Sequence, residues 1–279
     1  MQKPKETNQN EIVTPNGLQI SVLASSSSGN VTYIETPQRK VLVDAGLSGK
    51  KIETLMNSID RSLKDVDSIF VTHEHSDHCK GVGVLARRYG MDIYANEKTW
   101  QAMEHKIGKI ETGQKHLFEM GKTLVLDDLD IESYGVSHDA AAPQFYQFHH
   151  DQKRFAILTD TGYVSERVIG TIQNADAYLL ECNHDIDMLR MGGYPWSIKQ
   201  RILSDVGHLS NEDGAQVLMD LLGHKTQQVY LGHLSQENNV KALAHLTVEE
   251  ILKSHDIGVD EEFILSDTDF EKATELKKL

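Results

Sequence analysis

Val66-Asp-Ser-Ile-Phe-Val-Thr72, followed at once by His73-Glu74-His75-Ser76-Asp77-His78, is the stretch whose reading decides the fold. An apolar strand runs into His73, His75, Asp77 and His78, all of them metal-ligand types. A helix would send residues two apart to different sides. A regular strand would put His73, His75 and Asp77 on one face and His78 on the other. A tight turn converges them, and such a set serves two ions side by side, His73 and His75 on one, Asp77 and His78 on its neighbour. A solvated polar turn would explain an isolated His-x-His pair, but it does not explain the complete H-x-H-x-D-H pattern at a strand end.

The chain has 279 residues, enough for one large domain or two small ones. We read 17–279 as one domain. Residues 1–16 carry turn formers and charge with almost no apolar periodicity, and are expected to form a mobile arm. No stretch approaches the roughly 18 to 20 apolar residues that span a bilayer, and Met1–Asn10 is polar with no apolar leader. A soluble, unexported protein without membrane insertion is expected. Cys79 and Cys182 are too few for a disulfide framework and fit a reducing compartment. Both are expected as small buried residues, not ligands. The net charge of −14 argues against nucleic-acid binding through the overall field. It leaves room for a local track, because two divalent ions would reverse the sign at the site itself.

Outward from the histidine loop, further donors fall at strand ends. Leu18–Ala24, Val31–Thr36 and Lys40–Asp44 read as a β-meander ending in Asp44, with a helix after it. Ser25-Ser-Ser-Ser-Gly-Asn30, inside that meander, reads either as a flexible turn or as a set of backbone N–H groups facing an anion. A single helix from Cys79 to Tyr89 should follow the histidine loop. From 115 to 158 the pattern is strand-rich, and His138 sits at one strand end. Phe155-Ala-Ile-Leu-Thr-Asp160 ends in a carboxylate whose two oxygens can bridge two cations, as an imidazole cannot. Ala177–Glu181 ends in Glu181, His208 precedes a helix capped by Ser210 or Asn211, and Gln228-Val-Tyr-Leu-Gly-His233 ends in His233. From Glu237 the pattern gives two helices, a short strand at Glu262–Leu265 and a charged tail. Between Met188 and Leu203, Arg190, Lys199 and Arg201 occur with Tyr194 and Trp196 and no acidic residue. That segment is either a nucleic-acid-facing loop or a single exposed basic helix.

The order Asp44, His-x-His-x-Asp-His, His138, Asp160, His233 resembles the metallo-β-lactamase superfamily. Leu23-Ala-Ser-Ser-Ser-Ser-Gly-Asn30, Val43-Asp-Ala-Gly-Leu-Ser-Gly-Lys50, Gly135-Val-Ser-His-Asp-Ala-Ala141, Thr159-Asp-Thr-Gly-Tyr163, Met191-Gly-Gly-Tyr-Pro-Trp-Ser-Ile-Lys199 and Leu231-Gly-His-Leu-Ser235 make the likeness closer. Together they resemble the YycJ/WalJ family of bacterial metallohydrolases, with Ser26 departing from the glycine more usual in that loop. The resemblance implies an α/β (α+β) fold, the four-layer αββα metallo-β-lactamase sandwich. It implies His73, His75 and His138 on one metal, Asp77, His78 and His233 on the other, Asp160 between them, and Asp44 orienting ligands from behind. The ions would be Zn²⁺ or Mn²⁺, and Fe also suits such a nitrogen and oxygen set. The family is taken to be a 5′→3′ double-stranded DNA exonuclease with a role in mismatch repair, associated with the WalRK cell-wall system. This implies a cytoplasmic protein whose partner is nucleic acid, above all double-stranded DNA ends.

Between Asp160 and His233 there is no room for the large inserted domain of β-CASP nucleases, so substrate grip falls to this compact chain or to a second subunit in a homo-oligomer. Arg190, Lys199 and Arg201 are the candidates for that grip. Glu181 and His208 resemble in placement the Glu and His that assist leaving-group departure in tRNA 3′-processing nucleases. The alternative is that Glu181 pairs with an arginine and His208 only caps the next helix. The rival functions are an RNA-directed nuclease, a thioester or lactone hydrolase of the same fold, and a non-catalytic regulatory protein associated with cell-wall control.

Overall fold

In this computed structural model residues 17–279 are described, so the arm expected at 1–16 lies outside the described residues. The first half of the chain runs β1 (Gln19–Ala24), β2 (Val31–Glu35), β3 (Lys40–Val43), α1 (Gly49–Ser58), β4 (Ser68–Phe70), α2 (Ser76–Cys79), α3 (Val82–Tyr89), β5 (Asp92–Ala95), α4 (Glu97–Ile107) and β6 (Lys115–Leu117). The second half runs β7 (Thr123–Leu126), β8 (Leu129–Gly135), β9 (Gln144–His150), β10 (Lys153–Leu158), α5 (Glu166–Ile172), β11 (Ala177–Glu181), α6 (Ile186–Met191), α7 (Trp196–Ile202), α8 (Asn211–Leu221), β12 (Gln228–Gly232), α9 (Lys241–Ser254), β13 (Ile264–Asp267) and β14 (Lys277–Lys278).

These strands make two mixed seven-stranded sheets, ordered β14-β1-β2-β3-β4-β5-β6 and β13-β12-β11-β10-β9-β8-β7. Each begins as an antiparallel meander and continues as parallel strands, β3 to β6 in one and β10 to β13 in the other. Parallel strands are covered on both faces, which is why Phe155–Leu158 and Ala177–Leu180 are continuous apolar runs without alternation. One apolar core, with Ile52, Leu85, Trp100 and Met103, joins the first sheet to α1, α3 and α4. The other fills the space between the sheets and under α5, α8 and α9. At its centre Phe70 stacks on Tyr94 at 4.7 Å, and Phe118, Tyr146 and Phe148 meet Phe70 edge-on. The Tyr146 hydroxyl donates to the Val71 carbonyl at 2.7 Å, so the polar end of a fully buried ring is satisfied and one sheet is tied to the other.

Three details depart from the sequence reading. The helix expected at Cys79–Tyr89 is divided: the Gly81 N–H donates to the Ala45 carbonyl at 2.7 Å instead of continuing the helical ladder, and only glycine fits there, since a Cβ would stand 2.4 Å from the Leu47 carbonyl. Asp77 and His78 therefore sit in the turn of α2, whose N-cap is His75, and not in an irregular loop. After Glu237 there is one helix, α9, where two are expected. Beyond it the chain turns through Asp256 and Asp260, both at positive φ, into β13. The charged tail is not free: Lys277 and Lys278 pair with Ile20 and Gln19 as the edge strand β14.

Candidate metal centre

β8 runs parallel to β10, β11 and β12 because two antiparallel steps through β9 restore its direction. The carboxyl ends of these strands share one edge with the ends of β3 and β4, where an open α/β sheet offers its binding crevice. Asp44, Asp160 and His233, each just past a strand, have φ of 60°, 51° and 54°. Non-glycine residues pay roughly 1 kcal/mol or more for that left-handed backbone. All three face the histidine loop, so the strain is spent on aiming side chains.

Two groups of donors converge there: His73, His75 and His138, and beside them Asp77, His78, Asp160 and His233, each group within 4.8 Å internally. His75 Nδ1 is 3.1 Å from His73 Nε2 and 3.2 Å from His138 Nε2. Asp160 lies between the groups. Its Oδ1 is 3.2 Å from His233 Nε2 and 3.8 Å from His138 Nε2, and its Oδ2 is 3.3 Å from His78 Nε2. Those approaches lack hydrogen-bond geometry: Asp160 Oδ2 and His233 Nε2 are buried with no hydrogen-bond partner. Buried polar atoms left unpartnered cost free energy unless something completes them. A pair of divalent cations fits this donor set in both number and chemistry.

Behind the donors, most of the outer imidazole nitrogens are held in turn. His78 Nδ1 lies 2.8 Å from Asp44 Oδ2, and Asp44 also accepts from the Thr72 N–H and hydroxyl, both at 2.8 Å. The same hydroxyl lies 3.0 Å from His73 Nδ1, so Asp44 and Thr72 together orient two ligand rings. Glu181 Oε1 lies 2.8 Å from His233 Nδ1 and 2.7 Å from His208 Nδ1, and Oε2 accepts the Thr161 N–H at 2.9 Å. Glu181 therefore has no arginine partner. Ser210, not His208, caps α8, with Asp213 closing a capping box.

Burial pulls His73 and His138 below the ordinary imidazole range, so their lone pairs are free. Burial also pulls on His78 and His233, but there the surrounding carboxylates win. Asp160, Asp77 and Asp44 hold His78 well above its usual value, and Asp160, Asp77 and Glu181 push His233 up to about 10. A field that favours a proton at that position favours a metal cation as well. Burial likewise opposes ionisation of Glu181, yet the charges and hydrogen bonds of His208 and His233 bring its carboxyl down to about 2.

A cavity of about 440 Å³ opens onto the donors, lined also by Ser27, Ser76, Lys106, Arg201 and His208. Of the basic residues expected to grip substrate, Arg201 is at its wall, ion-paired with Asp139, and Arg190 is exposed on α6, outside the lining. Lys199 does not join them. It is 8 % exposed, and its ammonium donates to the carbonyls of Arg190 (2.6 Å) and Gly192 (2.7 Å), tying α6 to α7. A buried ammonium committed to two carbonyls is a structural clamp, which corrects the expectation that Lys199 contacts phosphate. The basic segment is correspondingly two short helices, neither a loop nor one helix. The anion-binding reading of Ser25–Asn30 also fails, because every N–H there is spent: on Asp269 O, Asn30 Oδ1, Leu234 O, Ser26 Oγ, Ser26 O and Asp77 O in turn. The loop is a buttress instead, with Ser25 Oγ accepting the His233 N–H at 2.8 Å. Sequence reasoning gave Thr72 and Lys106 no role of their own, and Asn30 only its place in the Ser/Gly loop, although its Nδ2 lies 3.1 Å from His78 Nε2.

Fold and donor set define the class, a metal-dependent hydrolase with the metallo-β-lactamase architecture. Residues 39–255 match the family described as Beta-lactamase superfamily domain. The chain is 59% identical over 265 residues to the exodeoxyribonuclease WalJ of Streptococcus pneumoniae, covering 94% of this chain and 98% of the relative. It is 53% identical over 261 residues to the exodeoxyribonuclease YycJ of Bacillus anthracis, covering 94% of this chain and 99% of that one. The chain belongs to this WalJ/YycJ family of the β-lactamase superfamily. Among solved structures, YhfI from Bacillus subtilis (TM-score 0.68, 14% identity, 93% of this chain and 100% of that one) and the short form of human tRNase Z (TM-score 0.62, 14% identity, 93% and 99%) share the fold. Among the described residues no helix is long and apolar enough to cross a membrane.

Proposed function

We propose that this chain is a dinuclear-metal phosphodiesterase that shortens double-stranded DNA from its 5′ end, acting in the cytoplasm in mismatch repair. The observation that carries the two-metal part is the Asp160 carboxylate, buried between two histidine groups with an oxygen left unpartnered. Relatives named as exodeoxyribonucleases, aligned over nearly their whole length, support the choice of DNA. His73, His75 and His138 would hold one ion, Asp77, His78 and His233 the other, with Asp160 shared. When bound, two such cations supply an activated water at neutral pH and neutralise charge on the phosphoryl oxygens.

The protein's own part is then orientation and proton transfer. Asp44 and Thr72 fix the His73 and His78 rings from behind. Glu181, kept ionised, fixes His233 and aims His208 into the cavity, with His208 Nδ1 committed to Glu181 and its ring 5.1 Å from those of His138 and His233. His208 Nε2 is left to hand a proton to the departing 3′-oxygen, which is a poor leaving group unless protonated. Arg201 contributes positive charge at the cavity wall. The test is to incubate the Mn²⁺-loaded protein with end-labelled duplex DNA, the matching RNA and a thioester. Release of 5′ nucleotides from duplex DNA is the expected result. Preferential loss of the RNA or the thioester would overturn the substrate assignment and favour the RNA-directed or small-molecule rival.

A further inference from the structure

Arg201 and Lys106 are the cationic side chains that line the metal cavity, and their circumstances differ. Arg201 is ion-paired with Asp139, so much of its charge is answered within the protein. Lys106, near the C-terminal end of α4, has no carboxylate partner among the described residues. A lysine in the last turn of a helix is ordinary; its ammonium on the wall of a metal cavity is not. The Lys106 Nζ donates one of its three hydrogens to the Glu74 carbonyl at 3.0 Å. Glu74 lies between His73 and His75, so this bond places the exposed Lys106 ammonium beside the first metal group. The Glu74 carboxylate makes no ion pair with it: Oε1 accepts the Ala141 N–H at 2.9 Å, and Oε2 is buried without a hydrogen-bond partner. A charge held by a neutral carbonyl, with two hydrogens to spare, is suited to a phosphate.

Which phosphate it meets follows from the other wall. Arg201 and His208 belong to one tight segment, since the His208 N–H donates to the Ile202 carbonyl at 3.0 Å and Gly207 packs against the Arg201 and Ile202 carbonyls. If His208 serves the departing 3′-oxygen, the nucleotide being released lies along that segment. The attacked phosphorus stays with the shortened strand, which leaves towards the wall supplied by the first half of the chain, where Lys106 stands. Resting on the nuclease reading above, we propose that Lys106 grips the phosphate immediately 3′ of the scissile one, positioning the retained strand.

The test uses the full chain loaded with Mn²⁺ and short 5′-labelled duplexes, with either normal linkages or one uncharged methylphosphonate at the second linkage from the 5′ end. For the wild type the neutral linkage should slow the first cut roughly tenfold or more in kcat/KM, the scale of one charge-assisted hydrogen bond. Lys106→Ala should lose a similar factor on the normal duplex and almost nothing further on the modified one. Lys106→Arg should recover most of both the rate and the penalty. Equal slowing of the two duplexes by Lys106→Ala would mean that the lysine only braces the Glu74 backbone. A penalty that persists in the variant, or that follows a methylphosphonate at another linkage, would overturn the assignment of this phosphate. A wild type inactive on normal duplex would instead remove the nuclease reading, before any variant is compared.

Discussion

His208→Ala removes the imidazole that stands on Glu181 and faces the cavity while leaving both donor groups whole. Glu181 Oε1 is shared between His208 at 2.7 Å and His233 at 2.8 Å, so losing the first partner leaves the second in place. Metal content should therefore stay at the wild-type value. The rate should not. General acid catalysis contributes roughly 10² to 10⁴-fold, or about 3 to 5 kcal/mol of barrier, and His208 is the group on this edge whose ring can supply it. Single-turnover cleavage of duplex DNA should fall by that factor, whereas a p-nitrophenyl phosphodiester, whose leaving group departs without a proton, should be cut at nearly the wild-type rate. Glu181→Gln gives the contrasting pattern. It keeps an acceptor in place but removes the charge that holds both rings, so metal affinity should drop about 10- to 100-fold as well. If His208→Ala slows the two substrates equally, His208 binds or supports the substrate, and the proton comes from solvent.

Asp44→Ala should weaken metal binding about 10- to 100-fold without touching a donor, since it strands the Thr72 and His78 groups that orient the loop; metal titration against Asp44→Asn, which keeps part of the pattern, checks this. Lys199→Ala should lower stability by about 1 to 3 kcal/mol, because two carbonyls lose a charged donor, and should leave the salt dependence of DNA binding unchanged; a flattened salt slope would return Lys199 to the phosphate track. Burial raises the Cys79 thiol to about 11, and pushes Cys182 higher still, so both stay protonated thiols at pH 8. A thiol reagent should label neither in the native protein and both after denaturation; fast native labelling would contradict their burial.

Much of the centre is legible because its donors are punctuation: Asp44, His138, Asp160, Glu181 and His233 each stand where an apolar run stops. A run that stops at the same edge of a parallel sheet delivers its last side chain to the same place, so strand ends converge without long-range knowledge. What stays hidden is tertiary. Lys106 lies on a helix end about thirty residues from the histidines, and only the docking of α4 against α2 brings it to the cavity. Lys199 looks identical to Arg190 and Arg201 in sequence, but the turn at Gly192-Gly193 folds α7 back so that its ammonium meets carbonyls instead of solvent. The Ser25–Asn30 run offers its N–H groups to any anion when read locally, and loses three to Asp269, Leu234 and Asp77 once the chain closes over it and three to acceptors within the loop itself. The division of the helix after the histidine loop is likewise set from afar in the chain, by the Ala45 carbonyl that takes the Gly81 N–H.

The central claim is that one carboxylate joins two metal sites, and Asp160→Ala tests it most directly. Metal content and single-turnover cleavage of duplex DNA should be measured on the same preparation, with chelated and Mn²⁺-restored wild type beside it. We predict that chelation abolishes wild-type cleavage and that Mn²⁺ or Zn²⁺ restores it. We also predict that the variant binds less metal and that no added metal recovers its rate. An Asp160→Ala protein holding two ions per chain and cutting at the wild-type rate would contradict the account.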